Sequence, residues 1–305
     1  MTRIKNFKNT AKELLEEAKA SAADGSFAYK LAAQSFTNHI DELEQLALAE
    51  DTSSLYETLD LRLKASHLRD GRAPLGLVSN IAKKTQKTIE YTALRLINGG
   101  FGKSRIPKYL ESELDLRLSA IIPGSSRFVI TANTHRDLLG DSLSKNSFER
   151  IFAVLESMGK GESFLDAVTT LGPSGAKSLR ELLSVIKSEH AEAELTWKYQ
   201  GEKTRIWDGS SASIDAVKHA LELTRITEQN KTFLSGHVEL LSKREKIELR
   251  QEDGSLVKIL FPKAMLEQVT RLHIEQKVRL FCQVTETSNP LTNESKVSYE
   301  LLNID

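Results

Sequence analysis

Cysteine is almost absent. Cys282 is the one cysteine in 305 residues, so no disulfide closes within the chain and a cysteine-rich zinc site is excluded. A lone cysteine suits a reducing compartment. Neither sign of charge is in surplus, since 42 Lys and Arg face 42 Asp and Glu. A protein held to nucleic acid mainly by phosphate neutralisation carries a basic excess, so any such binding here has to come from a local patch. Long apolar runs are missing too. None approaches the ~18 residues that mark a membrane span. The stretch from Met1 to Lys8 is positive but has no apolar run behind it, so we expect no secretory signal, no membrane partner and a cytoplasmic location. What is present is 40% apolar and 28% charged, a balance that buries a core and stays dissolved. At this length two or three packed units are expected.

Periodicity divides the chain into an α+β, multi-domain protein. Residues 1–50 read as a helical hairpin. Phe7, Ala11, Leu14, Leu15 and Ala18 share one face, and Leu31, Phe36, Ile40, Leu43 and Ala47 form the second stripe. Those stripes need cover from the next domain or from a partner. Residues 51–230 read as an α/β middle region with a small mixed or antiparallel sheet and a helical cluster. Thr58 to Lys64 alternates as a half-buried strand does. A long helix follows from Pro74 through Leu77, Ile81, Ile89 and Leu96, and Asn98-Gly99-Gly100 stops it. Glu113 to Ser119 is expected to be a second strand, because Leu114-Asp115-Leu116-Arg117-Leu118 echoes Leu59-Asp60-Leu61-Arg62-Leu63. Duplication would explain the echo, as would two strands with like demands. The unmatched flanks favour the latter. A hairpin turning at Pro123-Gly124-Ser125-Ser126, helices around Phe148–Leu155, Leu165–Val168 and Leu179–Ile186, and a hairpin carrying Trp197 and Trp207 complete this part.

Residues 231–305 show strands at Thr232–Leu241, Lys246–Arg250, Leu256–Phe261, Val278–Val284 and Lys296–Leu302. Asp253-Gly254 makes a tight turn after the second strand, and Pro262 opens a helix after the third. Three strands, one helix and two strands in ~70–75 residues resembles the OB fold, a partly open five-stranded barrel. The likeness rests on the order of elements rather than on a signature motif, and other small barrels share the outline.

Motifs of catalysis are near misses. Gly102-Lys103-Ser104 looks like the end of a phosphate-binding loop, but Ile97 stands where that loop needs glycine, and Ile106-Pro107 follows instead of a helix. His135-Arg136-Asp137-Leu138 mimics a kinase catalytic loop, yet Ser142 replaces the metal-binding asparagine. Ser174 in Gly172-Pro173-Ser174-Gly175 reads as a helix N-cap rather than a nucleophile. No two of the seven histidines have zincin spacing. Cys282, in phase with Val278, Leu280 and Val284, reads as a buried small hydrophobe. No cofactor, metal site or catalytic residue is expected. An enzyme site could arise here if the fold gathers distant groups such as His135, Asp137 and Asp141.

One charged segment stands out. Lys83, Lys84, Lys87, Arg95, Lys103, Arg105 and Lys108 face a single acid, Glu90, with Tyr91, Phe101 and Tyr109 interleaved. Charge could hold phosphates there and rings could stack bases, although a solvated helix face gives the same pattern. The expected solvent sides of the second and third barrel strands, Lys246, Glu248, Arg250 and Leu256, Lys258, Leu260, carry no aromatic platform. Leu256 and Leu260 suit a protein contact instead. The reading is therefore a non-enzymatic adaptor or regulatory subunit of a cytosolic, bacterial-type assembly, with a protein partner or self-association. The alternative is a nucleic-acid-binding accessory protein using residues 83–108 and the barrel.

Overall fold

The structure is a computed structural model. It describes residues 11–20, 29, 32–37, 40, 56–68, 73–99, 105–122, 126–133, 142–198, 204–242, 245–290 and 293–305. Residues 11–20 (α1) and 32–37 (α2) are helical, and Ala11, Ile40 and Leu15 pack as a small cluster. Leu31, Leu43 and Ala47 lie outside the described residues, as do Phe7 and the turn at 123–125.

An antiparallel sheet and a helical layer share the larger core. The sheet runs β2-β3-β1-β4-β5, with β1 (Tyr56–Lys64) central, β2 (Arg117–Ile122), β3 (Arg127–Asn133), β4 (Glu192–Lys198) and β5 (Arg205–Gly209). The alternation in β1 sends Leu59, Leu61 and Leu63 into the core, where they meet Phe128, Ile130, Leu195 and Trp197. Against that face lie α3 (Leu75–Asn98), α5 (Leu143–Glu156), α6 (Glu162–Ser188) and α7 (Ser211–Leu223). Trp197 sits 5.7 Å from Phe148 and 6.0 Å from Phe152, ring centre to ring centre.

Pro74 and Gly99 bound α3 as the sequence implies. The expected strand at Glu113–Ser119 is corrected. Lys108–Leu114 forms a short helix (α4), Asp115 ends it in the left-handed region at φ 39°, and the strand begins at Arg117. Leu110 and Leu114, four apart, are both fully buried, so helical spacing prevailed over the short alternation. The echo therefore has no structural counterpart. Asp60 binds Arg127 across the sheet, with Nε 2.8 Å and 2.7 Å from its two oxygens. Asp115 instead holds its near neighbour Arg117 at 3.0 Å.

The two helices expected around Leu165 and Leu179 join into one long element, α6, interrupted at Gly172 (φ 80°, ψ 163°). Gly172 is the last non-helical residue before Pro173, so it takes the cap position assigned to Ser174, which is exposed.

The C-terminal sheet is β6 (Arg225–Ser242), β7 (Lys246–Arg250), β8 (Leu256–Leu260), β9 (Lys277–Asn289) and β10 (Glu294–Ile304). It curls into a barrel in the order β10-β8-β7-β6-β9. Closure is uneven. β9 and β10 pair along most of their length, whereas β8 meets β10 in parallel at Ile259 and Leu260. A 3-10 turn (Lys263–Met265) and the one-turn helix α8 (Leu266–Val269) link β8 to β9. Leu234, Val238, Ile247, Leu249, Ile259, Val278, Leu280, Cys282 and Leu301 fill the barrel as a second core. Cys282 is fully buried there, and burial pushes its thiol up to about 12. No described helix is long and apolar enough to cross a membrane.

Candidate functional site

The basic segment does not fold as one exposed stripe. Lys83, Arg105 and Lys108 are exposed and Lys87 is half-buried. Lys84 lies 2.5 Å from Glu181 of α6 and holds that carboxyl below its usual range. Arg95 turns inward, with Nη1 2.8 Å from Glu300 Oε2 of β10 and both side chains 9% exposed. Tyr91 is half-buried and Tyr109 exposed, while Lys103 and Phe101 lie outside the described residues. Glu90, the lone acid of the segment, is buried and accepts from Gln86 Nε2 at 2.7 Å. Desolvation raises its pKa.

Arg95 belongs to a box of charges between the helical layer and the barrel. Arg150 of α5 donates through Nη2 to Glu245 Oε2 at 3.0 Å and through Nη1 to the Thr170 carbonyl at 2.8 Å. Burial lowers the Arg150 pKa, with Glu245 opposing that shift. Two glycines give these groups room. A Cβ on Gly99 (φ 59°) would strike the Glu300 carboxylate, and one on Gly172 would meet Arg95 Cδ at 3.2 Å. Thr169 and Thr287 share a hydrogen bond of 2.6 Å nearby, and Lys296 reaches Asp166 at 2.5 Å. Two cations and two anions thus balance inside one interface, each screened little by water.

A second buried carboxylate lies in the sheet. Glu57, on the core-facing row of β1, is fully buried. It accepts from Ser142 Oγ at 2.6 Å and from Trp197 Nε1 at 2.9 Å. Burial pushes its pKa up to about 7 against these hydrogen bonds. Ser142 also caps α5, accepting from Lys145 N–H at 2.9 Å. A groove of about 450 Å³ along α5 and α6 is lined by Glu156, Lys160 and Asp166 among others. Two of its acids are already paired, Glu156 with Arg205 and Asp166 with Lys296. His135, Asp137 and Asp141 lie outside the described residues. Among the described residues no three of His, Cys, Asp and Glu gather as a metal site would.

No family model, curated protein or solved structure matches this chain.

On the barrel the outer rows of β7 and β8 follow the expected register, with Ile247, Leu249 and Ile259 inside. Leu256 is 57% exposed and Leu260 half-buried. The aromatic platform missing from those strands occurs on β6 and β9. Phe233 and Phe281 are directly opposite across the ladder, with ring centres 4.7 Å apart. Sequence reading passed over this pair because its two members stand on strands separated by a turn, a helix and two other strands. Glu57 was more accessible. The alternation of Leu59, Leu61 and Leu63, extended back two residues, places a carboxylate in the apolar row.

Proposed function

We infer that the chain is a non-enzymatic adaptor or regulatory subunit of a cytosolic, bacterial-type assembly, with an α+β body carrying an OB-type barrel. The barrel is assigned to that type from its strand order, the parallel seam between its third and fifth strands, and the helix between its third and fourth. We take residues 231–305 as a unit of their own on the strength of its separate core.

One observation carries the adaptor reading. β8 is paired on both sides at Ile259 and Leu260, but Leu256, Val257 and Lys258 pair with β7 only. A strand edge beside an exposed leucine is a template for another chain. Size-exclusion chromatography with light scattering, coupled to a pull-down from native lysate, tests it. The expected result is a retained partner or self-association that Leu256→Glu abolishes. A strict monomer retaining nothing overturns it.

A nucleic-acid accessory role using residues 83–108 and the barrel is the second reading, favoured by the exposure of Lys83 within α3, Arg105 ahead of α4 and Lys108 at its start. Lys84 is a poor probe, because its charge already serves Glu181. Lys83→Glu with Lys108→Glu should weaken salt-sensitive binding in a mobility-shift assay. Binding indifferent to that pair of changes removes the segment from the interface.

A further inference from the structure

We propose that the outer face of β6 and β9 binds an unpaired nucleic-acid strand, with Phe233 and Phe281 stacking bases and Lys231, Arg279 and Lys277 meeting phosphates. This rests on and deepens the second reading above, assigning its main contact to one face of the barrel rather than to residues 83–108.

The strand alternation sets the face. Leu234 and Val238 of β6, with Val278, Leu280 and Cys282 of β9, point into the barrel core. The intervening Lys231, Phe233, Lys277, Arg279 and Phe281 therefore point out. Register lays them side by side, Phe233 opposite Phe281, Ser235 opposite Arg279 and His237 opposite Lys277. Neither ring contributes to a core cluster, and Phe233 is 45% exposed. The two rings thus form a small apolar step on the surface.

Charge surrounds that step. The Arg279 guanidinium lies 4.1 Å from the Phe233 ring centre, and Lys231 Nζ lies 6.0 Å from that of Phe281. Two acids stand at the margin, Asp305 4.0 Å from Arg279 Nε and Glu252 3.0 Å from Lys277. Both pairs are solvent-exposed and so exchange readily for phosphate. On a chain of zero net charge, cations bracketing two outward rings complement a ligand with flat apolar faces on an anionic backbone. Single-stranded nucleic acid has that chemistry, while a duplex hides its faces in the stack.

The test is fluorescence anisotropy of the full chain with labelled oligothymidylate and oligouridylate of about 20 nucleotides. Binding is expected to either or both, weakening roughly twenty-fold between about 50 and about 200 mM salt if three phosphates are neutralised. Phe233→Ala should lose roughly tenfold or more in affinity, and Lys231→Glu with Arg279→Glu should abolish binding. These side chains lie outside the cores, so unchanged circular dichroism and melting are expected of each variant. Binding that survives Phe233→Ala but is lost in Lys83→Glu/Lys108→Glu overturns this face while leaving the nucleic-acid reading intact. Absence of binding to both oligonucleotides at low salt overturns the two together. Equal competition by duplex DNA overturns the stacking, and a change in self-association in place of oligonucleotide binding makes the face a protein contact.

Discussion

Glu57 occupies a position in β1 that the pattern of its neighbours reserves for leucine. Its two oxygens receive Ser142 and Trp197, yet desolvation prevails and raises its pKa from 4.5 to about 7. Between those values the folded state holds a proton that the unfolded state has released. Stability from this group is therefore complete below about pH 4.5 and lost as pH rises through about 7, with a total on the order of 3 kcal/mol. Glu57→Gln preserves the shape, since its amide can donate to Ser142 Oγ while its oxygen accepts from Trp197. Thermal melting should show the variant more stable than the parent at pH 8 and flatter between pH 4.5 and 7. An unaltered pH profile would mean the carboxyl titrates normally.

Arg95 and Glu300 behave oppositely, since each needs the other's charge. Glu300→Ala takes the carboxylate away from a buried guanidinium and should cost about 3 kcal/mol, whereas replacing both by methionine should be nearly neutral. A double-mutant cycle by chemical denaturation separates the two outcomes. A loss in the double variant equal to the sum of the two single losses would deny the coupling.

At the scale of elements, α6 shows how one residue shapes a helix. Leu165, Val168, Leu179, Leu182 and Ile186 are all buried, so both halves obey helical spacing, but Gly172 at φ 80° and ψ 163° interrupts them. That region is essentially restricted to glycine. The interruption lets the chain pass Arg95, whose side chain fills the space a Cβ would take. Gly172→Ala should destabilise by about 1–3 kcal/mol from the backbone alone, read as a lowered melting temperature. Gly99→Ala should do at least as much harm, because a Cβ there strikes the Glu300 carboxylate. α4 teaches a related lesson. Strict alternation from Leu114 to Leu118 suggested a strand, but Leu110 and Leu114 already belonged to a helical turn facing the core. A pentapeptide carries both periods at once, and tertiary burial selects between them.

Across the whole molecule the barrel is docked by charge as well as by packing. Arg95 and Arg150 come from the helical layer, and Glu245 and Glu300 from the barrel. Removing both acids would leave two like-charged arginines of the helical layer with neither barrel carboxylate opposite them. Glu245→Ala with Glu300→Ala is expected to part the barrel from the body while each keeps its own core. Solution scattering should then show a larger radius of gyration at unchanged far-ultraviolet circular dichroism. An unaltered radius would mean that packing around Thr169 and Thr287 suffices.

Much of this was legible from residues alone because it depends on local period. Leu59, Leu61 and Leu63 declared a strand, the stripe from Leu77 to Leu96 declared a helix, Gly99 ended it, and Asp253-Gly254 turned the barrel's second hairpin. Backbone geometry repeats every two or every 3.6 residues, and side-chain burial follows that repeat wherever it is sustained. The surfaces on which function rests arise otherwise. Arg95 looked like part of a basic stripe until β10 brought Glu300 against it, and Phe233 was one ring on a strand until register set Phe281 beside it. Such pairings are fixed by how distant segments align and what they exclude from water, and no short spacing in the chain encodes them.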